Sequence, residues 1–90
     1  MLNELENASK VVGVKQVRRA LANGQVKRLY LAKDADPLLT QPLERQAAEA
    51  GAEVVWADAM KALGRACGIA VGAACVAVVS ITPTFSVFNE

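Results

Sequence analysis

Histidine is absent from these 90 residues, and that absence removes a great deal of chemistry. The commonest general base is missing, along with the usual zinc ligand and every Ser–His or Cys–His nucleophile pair. The two cysteines, Cys67 and Cys75, lie in an apolar run without a CxxC pair. A single bridge between them would staple little, so buried free thiols in a reducing compartment are expected. Aromatic residues make up only 4% of the chain against 53% hydrophobic residues. The core must therefore be built from Ala, Val, Leu and Ile, in a chain too apolar for disorder and long enough for one small domain, residues 1–90.

Other absences bound location. MLNELENASK lacks a basic stretch followed by an apolar one, so it does not read as a secretory signal. No charge occurs between Arg65 and Glu90, long enough to raise the question of a membrane span. Gly68, Gly72 and Pro83 interrupt that run and small residues dominate it. A loop followed by a buried strand is expected there, in a cytoplasmic protein with no membrane partner.

One region also lacks acids. Residues 10–33 carry Lys10, Lys15, Arg18, Arg19, Lys27, Arg28 and Lys33 with no acid among them. The rest of the chain holds three bases against nine acids, so the net charge of +1 hides a strong separation. Such asymmetry suggests an anionic partner for one edge of the molecule.

What is present alternates between helical and strand periods. Leu2, Leu5 and Ala8 suit a short leading helix over 3–9. Val11 and Val12 read as a brief strand closed by Gly13. In VVGVKQVRRAL, Val14, Val17, Ala20 and Leu21 fall on one arc of a helix, with Lys15, Gln16, Arg18 and Arg19 opposite. Asn23-Gly24 stops it. RLYLAK (28–33) is an interior strand, and Asp34, Asp36 and Pro37 break it and start a helix. Pro42 belongs near that helix's first turn, and Gly51 ends it. EVVWA (53–57) is the next strand, and Asp58 is a plausible N-cap for a helix through Met60, Leu63 and Ala66. CVAVVSI (75–81) supplies a last buried strand. The expected fold is a three-layer α/β/α sandwich around a mixed sheet of about four strands.

Three stretches bear on chemistry. The glycine-opened helix offers free N-terminal amides, and Lys15 and Arg19, four apart, reach toward a phosphate or a guanine edge, with Gln16 offering a donor and an acceptor. A merely solvated basic face is the competing reading. Asp34 and Asp36 have no third ligand or histidine beside them, so capping is favoured over a metal site, and no cofactor is implied. In LGRACGIAVGAAC (63–75), Ile69 and Val71 lie between glycines. They either meet a flat apolar partner such as a nucleobase or tuck into the core. The run lacks the GxxxxGK[ST] order of a phosphate loop and follows a helix, which argues against an NTPase.

Taken in order, VVGVKQVRRAL, LYLAKDADP and ALGRACGIAVGAACVAVV resemble the kink-turn-binding ribosomal proteins, a family with archaeal and eukaryotic large-subunit members and small bacterial homologues. The similarity spans roughly residues 8–80 and looks most like the bacterial branch. It implies an α/β/α sandwich that grips RNA at one end, without enzymatic activity. Gly13, Val14, Lys15 and Gln16 match the motif opening the RNA-contacting helix, with Lys15 and Gln16 facing the guanines of tandem sheared G·A pairs. Arg19 matches the basic position one turn later. Ile69, Ala70 and Val71 match the loop that packs on a nucleotide thrown out of the bulge. Lys10, Lys33, Lys61 and Arg65 are candidates for phosphate contacts at the rim. Many members carry Asn-Glu where this chain has Lys15-Gln16, which replaces an acidic acceptor by a neutral amide and adds a cation. The implied partner is kink-turn RNA in a ribosome, riboswitch or other ribonucleoprotein. The rival is an assembly subunit that uses its basic edge for an acidic protein and the apolar tail, 82–90, for weak self-association.

Overall fold

Two strands that alternate between two buried faces set the architecture. A computed structural model of the chain describes Leu5 and residues 8–79. In order, the elements are β1 (Lys10–Val12), α1 (Val14–Ala22), β2 (Val26–Ala32), α2 (Pro37–Ala50), β3 (Glu53–Ala57), α3 (Met60–Ala66) and β4 (Cys75–Val79). Leu29 and Leu31 of β2, with Cys75 and Ala77 of β4, pack on one side of the sheet against Val17 and Leu21 of α1 and Leu43 and Ala47 of α2. The residues between them, Tyr30, Ala32, Val76 and Val78, pack on the other side against Leu63 of α3, Ala73 and Leu5. A strand covered on both faces carries apolar residues at every position, which is why residues 29–32 of β2 and the whole of β4 read as unbroken runs.

The sheet order is β1-β4-β2-β3, with β2 and β3 parallel and the other pairs antiparallel. Helices on both faces of this mixed sheet make the expected three-layer α/β/α sandwich. Pairing rather than hydrophobicity decides the strand ends. Val26 pairs with Val79 across an irregularity in the ladder, so β2 starts two residues before the apolar run and stops short of Lys33. Lys10 joins β1 opposite Val78.

The helix starts correct two expectations. Asp36 caps α2 through its carboxylate, which accepts from the Leu38 N–H at 2.9 Å, and Pro37 occupies the first position. Pro42, however, falls in the second turn, where its ring removes the bond to the Leu38 carbonyl. Asp58 does not cap α3. The cap residue is Ala59, and the Met60 N–H donates to Asp34 Oδ1 at 2.8 Å, so the carboxylate comes from the β2–α2 turn. Asp58 instead accepts from the Lys33 ammonium at 3.5 Å. The leading helix over 3–9, the last two residues of CVAVVSI and the tail 82–90 lie outside the described residues, apart from Leu5, which is buried, and Ala8 and Ser9.

Candidate nucleic-acid interface

Gly13 turns the chain from β1 into α1 with φ 106 and ψ 150, a region that L-residues avoid. Its N–H donates to the Cys75 carbonyl at 3.3 Å, and its carbonyl accepts from Val17 at 2.9 Å. The helix start is thus pinned to the first residue of β4. No side chain caps α1 and no acid lies in its first turn, so its leading amides have no anionic partner from α1 itself. Val17, Ala20 and Leu21 face the sheet, which leaves Lys15, Gln16, Arg18 and Arg19 exposed.

These four side chains form a ridge with a groove on each flank. Val14, Lys15 and Arg18 line one groove of about 460 Å³. Val11, Gln16, Arg19, Ala20, Asn23 and Gln25 line the other, of about 240 Å³. Lys15 and Arg19 therefore fall on opposite flanks, a detail the four-residue spacing alone does not give. Arg18, Asn23 and Gln25 also belong to these grooves. Only Arg18 carried a signal in the sequence, through its place in the basic run.

The segment between α3 and β4 doubles back along the helix it has just left. Ile69 N–H donates to the Gly64 carbonyl at 3.1 Å and Ala73 N–H to the Met60 carbonyl at 3.0 Å. A Cβ on Gly64 would overlap the Val71 carbonyl oxygen, and one on Gly72 would come within 3.1 Å of Met60 Cβ. Glycine at both positions lets backbone lie on backbone. The braced loop turns Ile69, Ala70 and Val71 outward, with Val71 70% exposed, so these residues do not tuck into the core. The loop then enters β4 at Cys75, the residue bonded to Gly13. Helix start and loop exit share one end of the sheet.

The remaining candidate cations spread around that end. Lys33 leaves β2 beside Ala57, to whose carbonyl its N–H donates at 2.9 Å, and its ammonium is shared with Asp58. Lys61 and Arg65 stand one turn apart on the exposed side of α3. Lys10 is placed differently. It lies close enough to Cys67 to oppose the upward push that burial gives that thiol, which puts it by the C-terminal end of α3. Burial likewise pushes the Cys75 thiol up to about 11, opposed by the Gly13 N–H. Both cysteines are free, on opposite sides of the sheet. Among the described residues no group of acids and thiols could hold a metal ion, and no helix is long and apolar enough to cross a membrane.

Comparison with known proteins shows which family and fold the chain shares. Residues 2–84 match the ribosomal protein L7Ae/L30e/S12e/Gadd45 family. An RNA-binding protein of Bacillus pumilus is 48% identical over 68 residues, covering 76% of this chain and 83% of that protein. The large ribosomal subunit protein eL8 of Halobacterium salinarum is 35% identical over 69 residues, 76% of this chain and 58% of its own length. Among solved structures, a protein of unknown function from Bacillus halodurans C superposes with a TM-score of 0.80 at 26% identity, covering 89% of this chain and 84% of that one. The Giardia lamblia 15.5kD RNA binding protein shares the fold, with a TM-score of 0.80 at 24% identity over 88% of this chain and 70% of its own.

Proposed function

The chain belongs to the L7Ae/L30e/S12e/Gadd45 ribosomal protein family, and from that premise we propose that it is a non-enzymatic, cytoplasmic RNA-binding protein that recognises and stabilises kink-turn RNA. The observation that carries this reading is the uncapped, acid-free start of α1 at the same end of the sheet as the outward-facing Ile69–Val71 loop.

Ordinary A-form RNA hides its bases in a deep, narrow groove, whereas a sharp kink opens the groove and throws nucleotides out of the stack. A helix end can then reach base edges, and a small apolar loop can cover an exposed base. Lys15 and Gln16 address the guanines of tandem G·A pairs, with Gly13 and Val14 letting the backbone approach. Arg19 supports them from the groove it shares with Gln16. Ile69, Ala70 and Val71 meet the extruded nucleotide, and Lys33, Lys61 and Arg65 neutralise phosphates around the rim. Ribosomal or riboswitch RNA is the natural setting, with the whole chain acting as one RNA-binding unit.

The test is a titration of the protein into a kink-turn duplex and into the same duplex with both G·A pairs made Watson–Crick. The kinked RNA should bind at least about tenfold more tightly, the worth of roughly 1.4 kcal/mol. Equal affinities would reduce the function to charge-driven RNA binding.

A further inference from the structure

Acids are as unevenly placed in three dimensions as bases. Among the described residues every one of them, Asp34, Asp36, Glu44, Glu49, Glu53 and Asp58, lies in the segment that forms α2, β3 and their turns, where Lys33 and Arg45 are the only bases. The α2–β3 side is therefore negative on balance. It is also where large apolar side chains reach solvent: Leu38 is 80% exposed, Leu39 42% and Trp56 40%. Leu43 and Val54 belong to the apolar cluster on that face of the sheet. Leu39 lies one turn before Leu43 and Trp56 two residues after Val54, so both sit on the face of that cluster, on α2 and β3.

β3 is moreover the last strand of the sheet, with a hydrogen-bonded neighbour among the described residues on one side alone. The Ala57 carbonyl points inward, accepting from Lys33 N–H. Amide and carbonyl of one strand residue point the same way and alternate along the strand, so Val54 and Trp56 direct theirs outward. An edge of this kind is a template for another chain. Glu53 and Asp58 bracket it with side chains 61% and 94% exposed, even while they meet Arg28 and Lys33.

We propose that this edge docks an extended basic segment of a partner protein, which adds to β3 as a fifth strand with an apolar side chain on Trp56 and Leu39 and lysines or arginines against Glu53 and Asp58. Residues 66–89 of the chain carry no charge, so they offer no cation to Glu53 and Asp58. The surface leaves α1 free and meets the proposed RNA rim only at the Lys33–Asp58 pair.

The experiment titrates the full-length, 15N-labelled protein with the blocked peptide KVKVRVK and with its counterpart EVEVEVE. Trp56 is the only tryptophan, so its fluorescence and indole signal report directly on the edge. Saturable shifts at Trp56 and the Val54 amide with the basic peptide alone are expected, and they should persist with kink-turn RNA at saturation. Glu53→Lys combined with Asp58→Lys should weaken the peptide about tenfold. Trp56→Thr should weaken it separately, read at the Val54 amide. The proposal is overturned by no saturable shift at millimolar peptide, by equal shifts with the acidic peptide, or by shifts confined to α1. It is also overturned if deleting residues 82–90, or diluting the protein, moves the Trp56 signals without peptide, since the occupant would then be the tail or a second copy.

Discussion

At the end of the sheet where β1 and β2 stop, α1 starts on Gly13 and α2 starts on Asp36, and the two starts are chemically opposite. The α2 amides receive a carboxylate from the residue next to them, and Pro37 removes one orphan donor altogether. Even α3, with alanine at its cap position, borrows Asp34. The start of α1 has no such side chain, and it places Lys15 in the first turn, where the helix dipole disfavours a cation by about 0.3–1 kcal/mol. Three helices fold on one sheet, and the two facing ordinary structural demands are closed by acids. The third is built against its own stability, as expected where an outside anion completes it.

The difference can be broken in four ways. The largest effect is expected from Gly64→Ala, which drives a methyl group into the Val71 carbonyl and lifts the loop from α3. Thermal denaturation should show a loss of about 2–3 kcal/mol, and RNA affinity should fall with the displaced loop. Next comes the double variant Lys15→Ala, Arg19→Ala. Its affinity for kink-turn RNA should drop by about one to two orders of magnitude, and the log–log salt dependence should flatten by about one unit for each phosphate no longer neutralised. Its stability should stay within about 0.5 kcal/mol, because both side chains are exposed. A fall in melting temperature with affinity intact would make them structural.

Asp36→Ala and Asp34→Ala act on the closed starts. Each should cost about 1 kcal/mol in urea denaturation and leave RNA binding as it was. An RNA defect of the same size would mean the acids shape the interface too. The smallest effect is expected from Gln16→Glu, which turns a neutral amide acceptor for guanine amino groups into an anionic one. Total affinity should change by only about two- to threefold, with the preference for G·A pairs over Watson–Crick pairs increased.

Much of this is visible in the chain because period and punctuation agree. Val17, Ala20 and Leu21 are the buried side of α1 as their spacing indicates, and Asp36-Pro37 and Gly51 bound α2 where capping chemistry puts them. What could not be read is what depends on neighbours far along the sequence. Asp58 looks like a cap by position, yet Asp34, 26 residues before Met60, takes that role because β2 and β3 run parallel and end together. The exposure of Ile69 and Val71 was undecided in sequence, since glycine next to an apolar residue suits burial and display equally. The close approach of Gly64 to Val71 decides it. Trp56 gave no signal either, because a tryptophan in a strand reads as core until the strand proves to be an edge.

The bracing of the loop by Gly64 and Gly72 also determines where work is done when a ligand arrives. Backbone bonds to α3 and the link from Gly13 to Cys75 hold both walls of the proposed interface in shape beforehand, so little ordering is left to the protein on association. On the proposed reading, the cost of distortion falls on the nucleic acid. Sequences that bend easily are then selected by their own stiffness, before any side chain has read a base.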